Sequence, residues 1–255
     1  MPSWNLRDST RPPNRIYERP LGLTELGFYW DSVFNGTADS IQRAVVEVGG
    51  DREHHLFSEA NVSRTWVTLK QLFPLLGSKL EELGDKGGMV QFVVAEELLR
   101  TYDPQELDFR SISSLEADQN VINDILNGER LLSNNHLARI SILTPTDHTN
   151  RFVVLIHVAH CITDGIANTT ILRSFLDVLS HPDGRIGKIM SDLEGRLALA
   201  IASEDLVRGP HQSLVKQRWC RAIGHVVSSI QMSKMTVVSA KRLFPLADMS
   251  SPVVL

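Results

Sequence analysis

Apolar residues along the first part of the chain follow two spacings, one typical of strands and the other of helices. The segment from Ile41 to Val48 ends in a β-branched run before a glycine pair, and a continuously apolar run fills residues 89 to 95. Both segments are predicted strands. Between them, from Ser58 onward, large apolar residues recur at steps of three and four, which predicts a helix. Pro74 should bend or restart it. Its apolar stripe consists of Trp66, Leu69, Phe73, Leu76 and Leu80.

The same alternation continues in the second part of the chain. Residues 137 to 143 and 151 to 158 are predicted strands, and the connector between them suits a hairpin loop, so we expect antiparallel neighbours. A helical pattern then runs from Ile166 to Leu179 and must end before Pro182, because proline forbids continuation. Shorter helical patterns occupy residues 24 to 34, 121 to 126, 191 to 202 and 212 to 232.

This order of elements predicts an α/β protein, built as a two-layer sandwich in which helices cover a mixed β-sheet. Residues 1 to 19 are rich in Pro, Arg and Asn and have no apolar period, so we predict a flexible, exposed arm. Residues 20 to 185 then form the main domain. Residues 186 to 255 are predicted to be a helical segment followed by a tail.

Composition and charge narrow the classes of function. The 26 basic and 30 acidic residues are interspersed, so no basic stripe is available for phosphates and nucleic acid is not an expected partner. The N-terminus has no apolar leader, and the longest aliphatic run, residues 153 to 156, is far too short to cross a bilayer. A cytoplasmic location without membrane contact is the resulting prediction. A cytoplasmic location favours reduced thiols at Cys161 and Cys220, with one disulfide between them as the alternative.

The segment that carries chemistry is residues 160 to 165, which read His-Cys-Ile-Thr-Asp-Gly where a predicted strand ends and a helix is about to begin. A histidine just past a strand end can project into a cleft while the strand fixes its backbone. An imidazole of ordinary pKa, about 6.5, is mostly neutral at cytosolic pH and can accept a proton. His160 is therefore the predicted general base. Asp164 is expected to turn inward and fix the loop, and Gly165 to supply a positive φ or a close backbone approach.

The other histidines favour structural interpretations. His157 lies three positions before His160 on the predicted strand, so its side chain should point to the opposite face. The histidine pair at 54 and 55 lies in a polar stretch and is interpreted as a solvated loop. A zinc site would require the strand to break sharply, and no metal is predicted. Its candidate ligands would be His157, His160, Cys161 and Asp164.

The motif resembles that of the CoA-dependent acyltransferases, which include chloramphenicol acetyltransferase, plant and fungal alcohol acyltransferases and nonribosomal condensation domains. These carry H-H-x-x-x-D-G or H-x-x-x-D-G at such a strand end. Ala159 stands where the longer form has its first histidine, His160 matches the catalytic histidine, and Asp164 and Gly165 match the closing pair. Residues 19 to 28, 66 to 80 and the segment downstream of Arg196 are also similar to family segments, the last to those of fungal secondary-metabolite acyltransferases.

The resemblance implies a fold of two similar halves, with the histidine at a tunnel between them that donor and acceptor enter from opposite faces. The chain contains no D-F-G-W-G, the signature of the second half. Residues 20 to 185 are therefore expected to be the N-terminal half-domain of a chloramphenicol-acetyltransferase-like fold. Residues 186 to 255 are expected to lead towards an absent or incomplete second half.

The implied activity is transfer of an acyl group from a CoA or carrier-protein thioester to an alcohol or amine of a small secondary metabolite. Acyl-CoA would be a co-substrate, and no permanently bound cofactor is expected. Two alternatives stay open. The chain could be a truncated, non-catalytic homologue or binding module, or two copies could form a homodimer that rebuilds the tunnel. The acceptor and the acyl chain length are not indicated, because tunnel-lining residues follow no fixed spacing.

Overall fold

The computed structural model describes residues 3–7, 11–12, 14–49, 53–84, 89–148, 150–181 and 192–206, with a few more between 215 and 226. The chain divides into two compact units, Met1–Arg208 and Gly209–Leu255, and all elements named here belong to the first. The strands are β1 (Asn5–Leu6), β2 (Ile16–Pro20), β3 (Asp39–Glu47), β4 (Lys79–Glu82), β5 (Val90–Ala95), β6 (Leu107–Ile112), β7 (Ala138–Pro145) and β8 (Arg151–Ala159). The helices are α1 (Leu23–Asn35), α2 (Glu53–Leu56), α3 (Glu59–Leu72), α4 (Asp118–Asn127), α5 (Gly165–Ser180), α6 (Leu193–Leu199) and α7 (Ser203–Leu206).

The strands of the described residues form two sheets rather than the single sheet predicted. One has the order β1-β2-β5-β4 and is antiparallel throughout. The other has the order β3-β8-β7-β6, in which β8 is antiparallel to both neighbours and β6 runs parallel to β7. The α/β class and the mixed sheet covered by helices are thus confirmed, and so is the antiparallel β7–β8 pair.

Strand β8 lies at the centre of the fold because both of its faces are covered. Val154 and Ile156 point to one face, where they belong to the same core cluster as Trp66 of α3 and Phe175 of α5. Their neighbours in sequence point to the other face, towards α4. Burying each such aliphatic side chain contributes roughly 1.5 to 3 kcal/mol, which explains the continuous apolar run and fixes the strand end that precedes His160.

The prediction of an exposed arm over residues 1 to 19 is wrong at its C-terminal end. Strand β2 pairs with β5, and Tyr17 is buried. Arg19 is fully buried too, and its guanidinium carbon lies 5.3 Å from the ring centroid of Trp4 and 5.1 Å from that of Phe92. It also forms a bidentate ion pair with Glu25. The composition hid this strand, because a buried arginine is tolerated only when a carboxylate neutralises it, and that partner comes from another element.

Several predicted boundaries also need correction. Helix α3 ends before Pro74, as expected, but Leu80 belongs to β4 instead of the helix stripe. Helix α1 begins after Gly22 rather than after Thr24, and the Glu25 carboxylate accepts the Gly22 N–H at 2.7 Å. Strand β6 was not predicted. The histidine pair at 54 and 55 lies in the short helix α2, not in a loop. The helix predicted over 212 to 232 and the tail fall largely outside the described residues.

Candidate active site

The backbone of His160 is fixed at the end of β8. The strand ends at Ala159, and His160–Ile162 form a single 3₁₀ turn before α5 begins. The His160 N–H donates to the carbonyl of Ala38 at 3.0 Å, just before β3. Ala38 has φ of 61°, a left-handed conformation that non-glycine residues rarely adopt. The chain therefore accepts local backbone strain at the residue that anchors the histidine.

The imidazole of His160 is half-buried and oriented on two sides. Its ring stacks on Phe28 of α1, with centroids 4.1 Å apart and planes 19° from parallel. Its Nδ1 lies 2.6 Å from the carbonyl oxygen of Thr163. Because a carbonyl can only accept, Nδ1 carries the proton and Nε2 keeps its lone pair. No residue of the described structure hydrogen-bonds Nε2, so this atom is available to take a proton.

Asp164 and Gly165 follow the turn and open α5. The Asp164 carboxylate accepts the Ala167 N–H at 2.7 Å as the helix N-cap, yet the residue stays exposed instead of turning inward. Neither expected reason for Gly165 applies. Its φ is not left-handed, and a Cβ added there would meet no atom within 4 Å. The glycine therefore leaves open space at the start of the helix.

A buried polar chain that the sequence reasoning missed lies behind the turn. The Thr163 hydroxyl donates to the Asn168 side-chain oxygen at 2.9 Å, and the Asn168 amide donates to Ser40 Oγ at 2.8 Å. Ser40 in turn donates to the Val158 carbonyl at 3.3 Å. One signal was available, since Asn168 continues the helical stripe of Ile171 and is the polar residue on that buried face.

His157 lies inside the fold and is 5% exposed, which agrees with the structural role predicted for it. Its Nδ1 is buried with no hydrogen-bond partner within the described residues. Burial lowers the pKa of His157 to about 4, with Arg130 and Arg139 acting in the same direction against Asp39. The ring is therefore neutral at physiological pH and sealed from ligands.

Cys161 and the zinc alternative can be judged on the same geometry. Cys161 is a buried free thiol, and burial raises its pKa to about 12, so it is neither a thiolate nucleophile nor a ready metal ligand. Across the described part of the chain, no three His, Cys, Asp or Glu side chains are placed to hold a metal ion. Cys220 lies outside the described residues.

Two open grooves lie near these elements. One, of about 680 Å³, runs along the outer face of α5 from Gly165 to Asp177 and includes Ile166, which is 82% exposed. The other, of about 620 Å³, lies between α3 and residues 100 to 104. His160 lines neither of them.

Of the helices that the structure describes, none is both long and apolar enough to cross a membrane.

Known proteins resemble this chain in fold and not in sequence. No family model and no curated protein matches the sequence. Among solved structures, the condensation domain of the monacolin K polyketide synthase MokA aligns with a TM-score of 0.51, at 8% identity, over 64% of this chain and 34% of that chain. A variant of the starter condensation domain of the rhizomide synthetase RzmA aligns with a TM-score of 0.52 and 11% sequence identity. The alignment covers 74% of this chain and 45% of that chain. F. sporotrichioides TRI101 complexed with coenzyme A and T-2 aligns with a TM-score of 0.47 and 11% sequence identity. The alignment covers 75% of this chain and 48% of that chain.

The chain therefore has a condensation-domain-like fold of the chloramphenicol-acetyltransferase-like class, as the motif led us to expect. It spans between a third and a half of the length of the solved structures it matches. At these identities the likeness concerns the backbone alone.

Proposed function

We propose that this protein takes part in acyl transfer, from a CoA or carrier-protein thioester to an alcohol or amine of a small secondary metabolite, with His160 as general base. The observation that carries the proposal is the imidazole at the end of β8, whose Nδ1–H is bonded to the Thr163 carbonyl while Nε2 has no partner in the described structure. The condensation-domain-like fold supports it. Asp164 supports the motif as the N-cap of α5, and Gly165 leaves open space beside it.

In the proposed reaction, Nε2 of His160 takes the proton of the acceptor hydroxyl or amine while the acceptor oxygen or nitrogen attacks the thioester carbonyl. The tetrahedral intermediate then collapses, the carbon–sulfur bond breaks, and the imidazolium returns its proton to the departing sulfur. No covalent acyl-enzyme is required. Cys161 supplies none, because its thiol is buried and protonated.

A second candidate function follows from the length of the chain relative to its structural neighbours. The aligned part covers 34% and 45% of the two condensation-domain chains, and we propose that it corresponds to one side of a tunnel. A non-catalytic binding module, or a homodimer that supplies the missing side, would fit this fact. Acyl-CoA as co-substrate, a carrier protein as the alternative donor and a cytoplasmic location are parts of the main proposal.

The test measures release of the CoA thiol from acetyl-CoA by the full chain in the presence of a panel of alcohols and amines. His160→Ala should lower the rate about 10²- to 10⁴-fold, the usual contribution of general-base catalysis. His148→Ala is the matched control, because His148 lies in the β7–β8 connector and is partly exposed. If His160→Ala turns over as fast as the parent, the proposed mechanism is wrong.

Calorimetric titration with acetyl-CoA separates the two candidate functions. A working transferase binds acetyl-CoA in the millimolar range or more tightly. A folded chain without such affinity and without turnover is a non-catalytic module. Sedimentation then decides between a monomer and a homodimer, and a strictly monomeric profile excludes the rebuilt tunnel.

A further inference from the structure

We infer that Asn168 is a positioning residue that fixes the tautomer of His160 through Thr163; its consequence for catalysis rests on the proposed function. Asn168 lies on the face of α5 that packs into the core, 2% exposed, on the stripe that continues through Ile171 and Phe175. A buried amide without hydrogen-bond partners would destabilise the fold. Here both ends of the Asn168 amide are hydrogen-bonded, and these bonds explain how a polar side chain is tolerated on the buried face.

Thr163 carries the carbonyl that faces the imidazole. Its backbone is extended, with φ of −157° and ψ of 166°, between the 3₁₀ turn and α5. A hydroxyl has one proton, and the Thr163 hydroxyl lies nearer to Asn168 Oδ1, at 2.9 Å, than to the Asp164 carbonyl, at 3.3 Å. The bond to Asn168 therefore holds the Thr163 residue, and with it the carbonyl that accepts His160 Nδ1–H.

Asn168 is itself hydrogen-bonded to the sheet. Its amide nitrogen donates to Ser40 Oγ on β3, and Ser40 donates to the Val158 carbonyl on β8. The Asn168 N–H also bonds the Asp164 carbonyl as part of the first turn of α5. Side-chain hydrogen bonds thus connect both strands, the turn and the helix, and the more rigid sheet determines where the Thr163 carbonyl points.

The position of the Thr163 carbonyl affects proton transfer at His160. A neutral imidazole accepts a proton only at the nitrogen that carries none, and the partner of the other nitrogen selects the tautomer. Without Asn168, the Thr163 carbonyl loses its anchor and His160 can shift its proton to Nε2, where the base should act. Under the proposed function, such a misplaced base lowers turnover about 10- to 100-fold.

The experiment reads the tautomer directly by nitrogen NMR of protein labelled with ¹⁵N-histidine, with the His160 signal assigned from its loss in His160→Ala. The parent should show a protonated Nδ1 and an unprotonated Nε2. Asn168→Leu, which is apolar and similar in size, and Thr163→Val, which removes only the hydroxyl, should both shift His160 towards the Nε2-protonated form. Thr163→Ser keeps the hydroxyl and should keep the parent tautomer.

The control is Thr170→Val on the same helix, because the Thr170 hydroxyl bonds only the Ile166 carbonyl of its own turn. It should leave the His160 signal unchanged. An Asn168→Leu chain that is folded by circular dichroism and keeps the parent tautomer overturns the inference, and so does an equal shift in Thr170→Val. If Asn168→Leu does not fold, Thr163→Val against Thr163→Ser decides. The signal is independent of turnover, so a failure of the proposed function leaves this result readable.

Discussion

Two histidines three residues apart, one on β8 and the other just past its end, have opposite environments. His157 points into the fold, where the side chain is buried and its Nδ1 has no partner within the described residues. His160 comes one residue after the last strand residue, stacks on Phe28 and bonds the Thr163 carbonyl. The same residue type is sealed in one place and presented in the other. The end of the strand, more than the histidine itself, creates the candidate base.

The difference also shows how a buried group can be excluded as a catalyst. Burial of His157 favours its neutral form so strongly that its pKa falls to about 4. A base that weak gains little from taking a proton at physiological pH, and no acceptor can reach it. At His160 one ring nitrogen is bonded to the Thr163 carbonyl, and the other has no partner among the described residues.

The largest expected effect is on acid stability, through His157. Its pKa is about 4 in the folded chain and about 6.5 when unfolded, so in that window the unfolded chain binds a proton that the folded chain does not. Stability must therefore fall as the pH drops from about 6.5 to about 4, by about 3 kcal/mol from this group. His157→Leu should lack that part of the loss.

The measurement is urea unfolding at several pH values between 7 and 4 for the parent, His157→Leu and His148→Ala. Carboxylates with lowered pKa, such as Glu96, lose stability in the same direction, so the difference between parent and variant is the relevant quantity. Identical pH dependence in the parent and His157→Leu would mean that His157 is not buried as described.

A smaller effect is expected at the N-terminus of α5, beside His160. Asp164→Ala removes the N-cap bond to Ala167 and should lower the free energy of unfolding by about 1 kcal/mol. Asp164→Ser restores a capping hydroxyl and should recover most of it. Chemical denaturation at pH 7 measures both variants. The cap lies beside His160, so both variants should keep the loss of stability at low pH that is due to His157.

The smallest effect concerns the strained residue that holds the His160 backbone. Ala38→Gly should stabilise the chain by about 0.5 kcal/mol, because relief of a left-handed alanine slightly exceeds the extra chain entropy of glycine. The matched opposite change is Gly36→Ala, since Gly36 has φ of 63° against 61° for Ala38 and space for a Cβ. By the same balance it should destabilise the chain by about 0.5 kcal/mol. Thermal unfolding of both variants gives the two signs, and equal signs would contradict the described backbone.

The sequence was most informative where local pattern and burial agree. The apolar runs of β5, β7 and β8 and the stripe of α5 predicted those elements closely, because side-chain period is a local property. The motif also placed His160 at a strand end correctly. Strand β2 escaped notice because its buried Arg19 is neutralised by Glu25 of α1, a contact that no local pattern reveals.

The candidate site shows the same limit. Phe28 of α1 stacks on the histidine and Ser40 of β3 bonds Asn168, and both are more than a hundred residues away from the motif in sequence. Their roles depend on how sheet and helix meet, which residue spacing does not encode. Gly165 shows the converse, since a motif match suggested a backbone requirement that the geometry does not contain.

The contrast between the two histidines is tested most directly by modification with diethyl pyrocarbonate, located by mass spectrometry on the folded chain. The reagent attacks an accessible, unprotonated imidazole nitrogen. We expect rapid modification of His160 at Nε2, slowed by acetyl-CoA, while His157 stays unmodified until the chain is unfolded. A folded chain in which His157 reacts and His160 does not would contradict the assignment of His160 as the base.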